Sequence, residues 1–220
     1  MEKKIKRKSS IEKALDLIEA LKEREDLGVT ELSNILGLNK NNVFRLLATL
    51  EVKGIIEQEE ETGHYKLGTK ALFLEYAYLK GLAFLQKAKP FMKMLRTRVN
   101  ETVYLSILSK DNIVYLHAEE TNRSVLVHSR VSKRFPAEKT TSGKVLLKAR
   151  QSKEVVFPVE VDFEGLEPEV SEISTVIWED KNPIASISIV APISRLNQIN
   201  YKDIEFELLN CAKEITNQLS

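Results

Sequence analysis

The chain has 220 residues, 43% of them apolar and 30% charged, with a net charge of +1. That suits two modest domains with a core each, and so even a balance does not by itself mark a nucleic-acid binder. One cysteine, Cys211, excludes an internal disulfide framework; no run of 18 apolar residues offers a membrane span, and the charged start lacks the apolar segment of a leader, so a cytoplasmic protein is expected.

The first expected element is a helix from Ile11 to about Glu25. Ile11, Ala14, Leu15 and Ile18 fall at i, i+3, i+4 and i+7, Leu21 extends the stripe, and Ser9 or Ser10 can cap the start. After Asp26-Leu27-Gly28, Thr30 can cap a short helix over Glu31–Leu36, which Gly37 ends as a left-handed C′ residue does. Asn39 is placed to cap the next helix. There Val43, Leu46, Leu47 and Leu50 repeat at helical spacing and must face a core, leaving Lys40, Asn41, Asn42, Arg45 and Thr49 on the other side until Gly54 closes the helix. Ile55–Gln58 and His64–Gly68 then read as short strands around the acidic turn Glu59–Gly63.

From Thr69 to Leu85 the pattern is helical and rich in Ala, Leu, Phe and Tyr, too apolar for a free linker; Phe73, Tyr76, Tyr78 and Phe84 suit an interface with a second copy. Lys89-Pro90 punctuates before a helix over Phe91–Val99. Val103–Leu108, Ile113–Glu119 and Val125–Ser129 have strand character, with a turn at Ser109–Asn112. Thr140–Arg150 reads as helix and 151–170 as irregular. Ile173–Trp178 and Ile184–Val190 make a second strand pair, and Tyr201–Leu219 a final amphipathic helix. Strands and flanking helices without βα alternation imply an α+β domain on an antiparallel sheet.

The order short helix, glycine-ended turn, second helix, hairpin is that of a winged helix-turn-helix. Such a second helix fits the major groove of double-stranded DNA, where base edges are distinguishable. Asn41 and Asn42 carry amides suited to adenine, and Lys40 and Arg45 reach guanine or phosphate; Thr30, Thr49 and, on the wing, His64 and Lys66 complete the candidate DNA-contacting set. Charge is distributed accordingly. Residues 1–10, with Lys3, Lys4, Lys6, Arg7 and Lys8, sum to +4, residues 71–98 to +5 and residues 151–220 to −8. A basic front and an acidic rear suit a sensor held near phosphates. Glu57, Glu59, Glu60 and Glu61 on the hairpin instead suit a rival reading, a protein-interaction module with a helix-turn-helix that does not bind DNA. Catalysis has little to rest on. His64, His117 and His128 stand apart without metal-ligand spacing, Ser142-Gly143-Lys144 lacks the upstream glycine of a phosphate-binding loop, and Cys211 sits in a helical pattern as a buried small residue. Neither an enzyme, a metal site nor a cofactor is expected.

Several separated segments, in order, resemble the IclR family of transcription regulators. They include Ser9–Ile18, Glu31–Leu38, Val43–Glu51, Tyr65–Gly68, Glu101–Val103, Val114–Leu116, Thr141–Leu147 and Ala185–Leu196. The resemblance implies a winged helix-turn-helix (9–68), a linker helix used in dimerisation (69–86) and a GAF-like effector-binding domain (87–220). It also implies dimers that often pair into tetramers, acting as repressors or activators, with a small-molecule effector. It places that effector at Thr141 and Ser142, where the start of a helix favours an anion, together with Asp162, Glu172, Ser188 and Val190. Glu172 stands where cysteine is frequent in the family and Val190 where serine is frequent; the segment from Leu147 to Asp162 is much shorter than the family norm. A carboxylate at 172 repels an organic acid unless it is protonated, paired with a cation or bound to a metal.

Overall fold

The computed structural model describes residues 8–24, 26–125, 127–163, 165–197 and 201–220. Lys3, Lys4, Lys6 and Arg7 of the basic run lie outside the described residues, as do Glu25 at the expected end of the first helix and Leu126 in the third expected strand. The chain divides into two units, one ending at Gly81 and the other beginning at Leu82.

The first unit opens with α1 (Ser10–Glu23), begun by a capping box in which the Ser9 hydroxyl accepts the Glu12 N–H and the Glu12 carboxylate accepts that of Ser9. Its buried residues are Leu17 and Leu21, while Ile11 and Leu15 are 74% and 60% exposed. The expected stripe is therefore rotated. Apolar residues at 11, 14, 15, 17, 18, 20 and 21 cover most of the circumference, so spacing alone does not select the buried face. Gly28, not Thr30, is the N-cap of α2 (Val29–Leu36), and its N–H donates to the Glu31 carboxylate. Gly37 ends α2 with φ 63°, the left-handed cap expected of it. Asn39 caps α3 (Lys40–Val52), its side-chain oxygen accepting the Asn42 N–H at 2.9 Å. The antiparallel pair β1 (Ile56–Gln58) and β2 (Tyr65–Leu67) forms the wing. Leu17, Leu21, Leu27, Leu32, Val43, Leu47, Ile56 and Tyr65 meet in one core. Next, α4 (Lys70–Gly81) buries none of its residues.

The single helix expected over 69–85 is thus divided. A break at Leu82, just after Gly81, separates α4 from α5 (Ala83–Val99), which runs through Pro90 where a helix start was expected beyond it. Leu85, Ala88, Met92 and Leu95 are buried on one stripe spanning the proline, and their packing offsets the lost backbone hydrogen bond.

The second unit is built on a six-stranded antiparallel sheet. Its strands are β3 (Thr102–Ser109), β4 (Asn112–Glu119), β5 (Arg134–Pro136), β6 (Glu160–Phe163), β7 (Val170–Glu179) and β8 (Asn182–Pro192), in spatial order β5-β4-β3-β8-β7-β6. Two departures from expectation lie at its edges. Strand character at Val125–Ser129 is not realised in the described residues there, and β5 pairs with β4 instead, Ile113 facing Phe135. The supposedly irregular 151–170 holds β6, paired with β7 so that Asp162 faces Glu172. On one face α6 (Thr141–Gln151) packs over Tyr104, Tyr115, Val176, Trp178 and Val190. The alternate residues of the strands, among them Val103, Leu105, Ile173, Ile187 and Ile189, are equally buried, with α5 and α7 (Tyr201–Leu219) packed against β3 and β7. Both faces of the sheet are therefore covered. Glu101 and Arg195, from two of the resembling segments, form a two-point ion pair at 2.6 and 2.9 Å, with Glu101 buried.

Candidate functional site

Val43 and Leu47 are fully buried beneath α3, with Leu46 and Leu50 half-buried beside them. These contacts fix the helix on its unit and turn Lys40, Asn41, Arg45 and Thr49 to solvent. Among the described residues Arg45 makes no ion pair, so its guanidinium is available to an external acceptor. Asn42 is half-buried and, with Arg45 and Thr49, lines a groove of about 340 Å³ against α1. The Thr49 hydroxyl donates back to the Arg45 carbonyl at 2.8 Å. The same ridge contains a residue the sequence reading passed over. Phe44 is 59% exposed between Asn41 and Ala48, an apolar contact of the kind a thymine methyl accepts. The signal was available: Phe44 falls off the Val43–Leu47–Leu50 stripe and so has no core to enter.

The wing is less open. Lys66 pairs with Glu59 at 2.5 Å, and His64 Nδ1 lies 3.3 Å from the Asp26 carboxylate. Glu57 accepts the Thr69 N–H, leaving exposed Glu60 and Glu61 at the tip. Thr30 is exposed in the first turn of α2, where the Glu31 carboxylate already occupies the Gly28 N–H.

In the second unit the expected ligand positions come together between α6 and the sheet. Register places Tyr104, Ser188, Ser174 and, one pair along, Val190 and Glu172 on a common face. Thr140 caps α6 by accepting the Gly143 N–H, so Thr141 and Ser142 form its first turn. The Thr141 hydroxyl lies 2.6 Å and that of Ser142 3.2 Å from Ser174 Oγ. Asp162 stands at the edge, 4.0 Å from Lys144 of α6.

Of the three ways to accommodate a carboxylate here, the structure displays pairing with a cation. Arg130, from the irregular stretch after Val127, is 1% exposed, and its Nη1 donates to Glu172 Oε2 at 3.2 Å. Tyr115 and Ser142 each donate a hydroxyl to Glu172 Oε1 at 3.1 Å. Arg130 also donates to Glu167 and lies over the rings of Tyr115 and Phe135. Burial opposes its charge, but Glu172, Tyr115 and Glu167 outweigh burial and raise its pKa above the usual arginine value. Burial, then the Glu172 charge, raises the Tyr115 hydroxyl far above its ordinary range, so it acts as a neutral donor. Among the described residues no cluster of three or more His, Cys, Asp or Glu is placed to hold a metal. Arg130 escaped the sequence reading because it lies in no periodic element.

The protein-family comparison resolves the resemblance. Residues 10–60 match the IclR helix-turn-helix domain, and residues 76–157 match the bacterial transcriptional regulator IclR C-terminal domain. The chain belongs to the IclR family. It is 34% identical over 147 residues to the transcriptional regulator KdgR of Dickeya chrysanthemi, an alignment covering 67% of this chain and 48% of that protein. The chain thus spans about half the length of the curated relatives it matches at this level. An IclR transcriptional regulator of Silicibacter sp. TM1040 shares the fold with a TM-score of 0.78 at 20% identity, covering 96% of both chains. An IclR homologue of Microbacterium hydrocarbonoxydans, solved in complex with 4-hydroxybenzoate, does so at 0.78 and 19%, covering 96% of this chain and 99% of that one. These likenesses establish the architecture, α+β with a winged helix-turn-helix and a GAF-like antiparallel-sheet domain. The second family match stops at residue 157, inside the connection between α6 and β6.

Proposed function

We propose that the chain is a sequence-specific DNA-binding transcription regulator of the cytoplasm and not an enzyme. In this reading residues 9–68 bind DNA, 69–86 join two copies, and 87–220 form the effector domain. The observation that carries it is α3, anchored by Val43 and Leu47 while Lys40, Asn41, Phe44 and Arg45 stand out on a continuous exposed ridge. Homodimer formation is supported by α4, whose Leu72, Phe73, Leu74, Tyr76 and Tyr78 are all exposed; a 12-residue helix with no buried side chain gains stability from a second copy laid against it. Pairing of dimers into tetramers follows family habit. The effector position is the space between α6 and the sheet around Thr141, Ser142, Asp162, Glu172, Ser188 and Val190, and the 4-hydroxybenzoate complex of the Microbacterium relative supports a ligand role for such a domain.

A gel-shift titration with duplexes from upstream of the chain's own gene tests the reading. Binding should weaken steeply with salt as counterions return to the phosphates. Arg45→Ala and Asn42→Ala should each lower affinity by roughly 5- to 150-fold, the equivalent of about 1–3 kcal/mol for a base contact. Unchanged affinity in both folded variants rejects α3 as the reading helix. No shift with any duplex at low salt favours the interaction module, which the acidic wing tip suits.

A further inference from the structure

The position proposed for the effector is already filled by the chain itself. The Glu172 carboxylate engages both oxygens: Oε2 accepts from Arg130, and Oε1 accepts from the hydroxyls of Tyr115 and Ser142, with the Ser174 hydroxyl at 3.5 Å. One guanidinium and three hydroxyls at the first turn of a helix are the donors that a bound organic acid requires. They converge from four places in the chain: β4, the stretch before β5, α6 and β7. The surrounding layer is built of hydroxyls where packing alone calls for methyl groups. Ser106 and Ser186 bond each other at 2.7 Å, Thr141 and Ser174 bond at 2.6 Å, and Ser188, paired in register with Ser174, has a buried hydroxyl with no partner among the described residues. Burying a hydroxyl unpaired costs about 1–3 kcal/mol, a cost that a purely structural core avoids by using alanine or valine.

We propose that Glu172 is a tethered ligand: its carboxylate occupies the acid-binding subsite formed by Arg130, Tyr115 and Ser142, holding α6 against the sheet without a free acid. The inference rests on reading this space as the effector position and assigns it an intramolecular occupant. A free carboxylate entering the subsite has to displace Glu172, which then remains in a closed interior without its cation. Simple organic acids are therefore excluded from the native chain, and the domain stays in its ligand-held form.

Deletion of the tether makes the subsite available. Glu172→Ala removes the equivalent of one acetate while leaving Arg130, Tyr115 and Ser142 in place. The full chain and its variants are heated while Trp178 fluorescence is followed, with sodium acetate or formate against sodium chloride at equal ionic strength and pH 7. Glu172→Ala is expected to unfold at lower temperature than the native chain. Acetate should raise its midpoint saturably, by on the order of 4 °C above the chloride control at 100 mM. The native chain should show no such rise, nor should Glu172→Gln, whose amide still fills the space. If Glu172→Ala does not fold in chloride, recovery of soluble protein in acetate alone counts as the same rescue. A saturable acetate response in the native chain overturns the proposal, because the subsite would then be open. Absence of rescue in the alanine variant, whether as a midpoint or as soluble yield, overturns it too. Rescue is read on Trp178 in the second unit, so it is independent of whether the chain shifts DNA. Failure of the gel shift with intact rescue rejects the regulator reading alone.

Discussion

Replacing Arg130 with methionine strands a charge in the interior, and the size of the loss follows from the structure. Arg130 and Glu172 are 1% and 4% exposed with 3.2 Å between their charged atoms. Removing one member of such a pair costs about 3–5 kcal/mol, because the survivor keeps its desolvation penalty without its counter-ion. Methionine retains part of the contact with the Tyr115 and Phe135 rings, so the loss is chiefly electrostatic. We expect Arg130→Met to lose about 3–5 kcal/mol at pH 7 and to regain part of it in acid. The sign is fixed by proton uptake. In the variant the folded state binds a proton at the stranded carboxylate more readily than the unfolded state does, so stability falls as pH rises. A double variant, Arg130→Met with Glu172→Met, has no stranded charge and should come within about 1–2 kcal/mol of the native chain. Trp178, the one tryptophan of the sequence, is 2% exposed in the same core, so urea unfolding followed by its fluorescence reports this unit alone. A loss below about 1 kcal/mol in the single variant at pH 7, or a double variant as weak as the single, refutes the counter-ion argument.

Two further predictions concern the same unit. Gly143 lies in the first turn of α6 with backbone against it: a Cβ there meets the Ala137 carbonyl oxygen at 2.0 Å. Gly143→Ala should destabilise by about 1–3 kcal/mol or more, although alanine is the better helix former, and a stabilised variant in the same urea experiment contradicts that close approach. Burial, then the Glu214 charge, pushes the Cys211 thiol up to about 12, and the residue is 5% exposed. At pH 8 only about one thiol in 10⁴ is then ionised, so a chromogenic disulfide reagent should label Cys211 only as Trp178 reports unfolding; a folded-state rate within about tenfold of the unfolded one argues against a sealed thiol.

The first unit was largely legible in the sequence because its signals are local. Gly37 and Asn39 fix the turn, and the spacing of Val43 and Leu47 fixes the face of α3. Where apolar residues surround a helix, as in α1, the period names no face, and Ile11 and Leu15 proved exposed. Pro90 misled for the complementary reason, since a local breaker was overridden by the buried stripe from Leu85 to Leu95. β5 and β6 have three and four residues, too short for alternation to register, and exist because a longer neighbour offers an edge. In the candidate ligand site, Thr141, Ser142, Glu172, Ser188 and Val190 share one face of the sheet and its helix, with Asp162 at the edge. Arg130 carries no local signal, since only the third dimension brings it to Glu172.

The two halves of the chain treat polar residues in opposite ways, and the difference follows from how many faces each element has to bury. A helix laid on one side of a core has a solvent face, so Asn41 and Arg45 fall there by periodicity and stay available for an external partner. A central strand covered on both sides has none: from Ser171 to Trp178 every residue of β7 is buried, whichever way it points. A carboxylate that stays charged in that run needs a cation brought into the fold, and the cation must be one that keeps its charge when dry. Arginine meets that condition and lysine does not. Glu172, the third residue of β7, meets such an arginine in Arg130, at the subsite proposed above for a free acid. On the proposed reading, folding this unit and closing its ligand position are the same event.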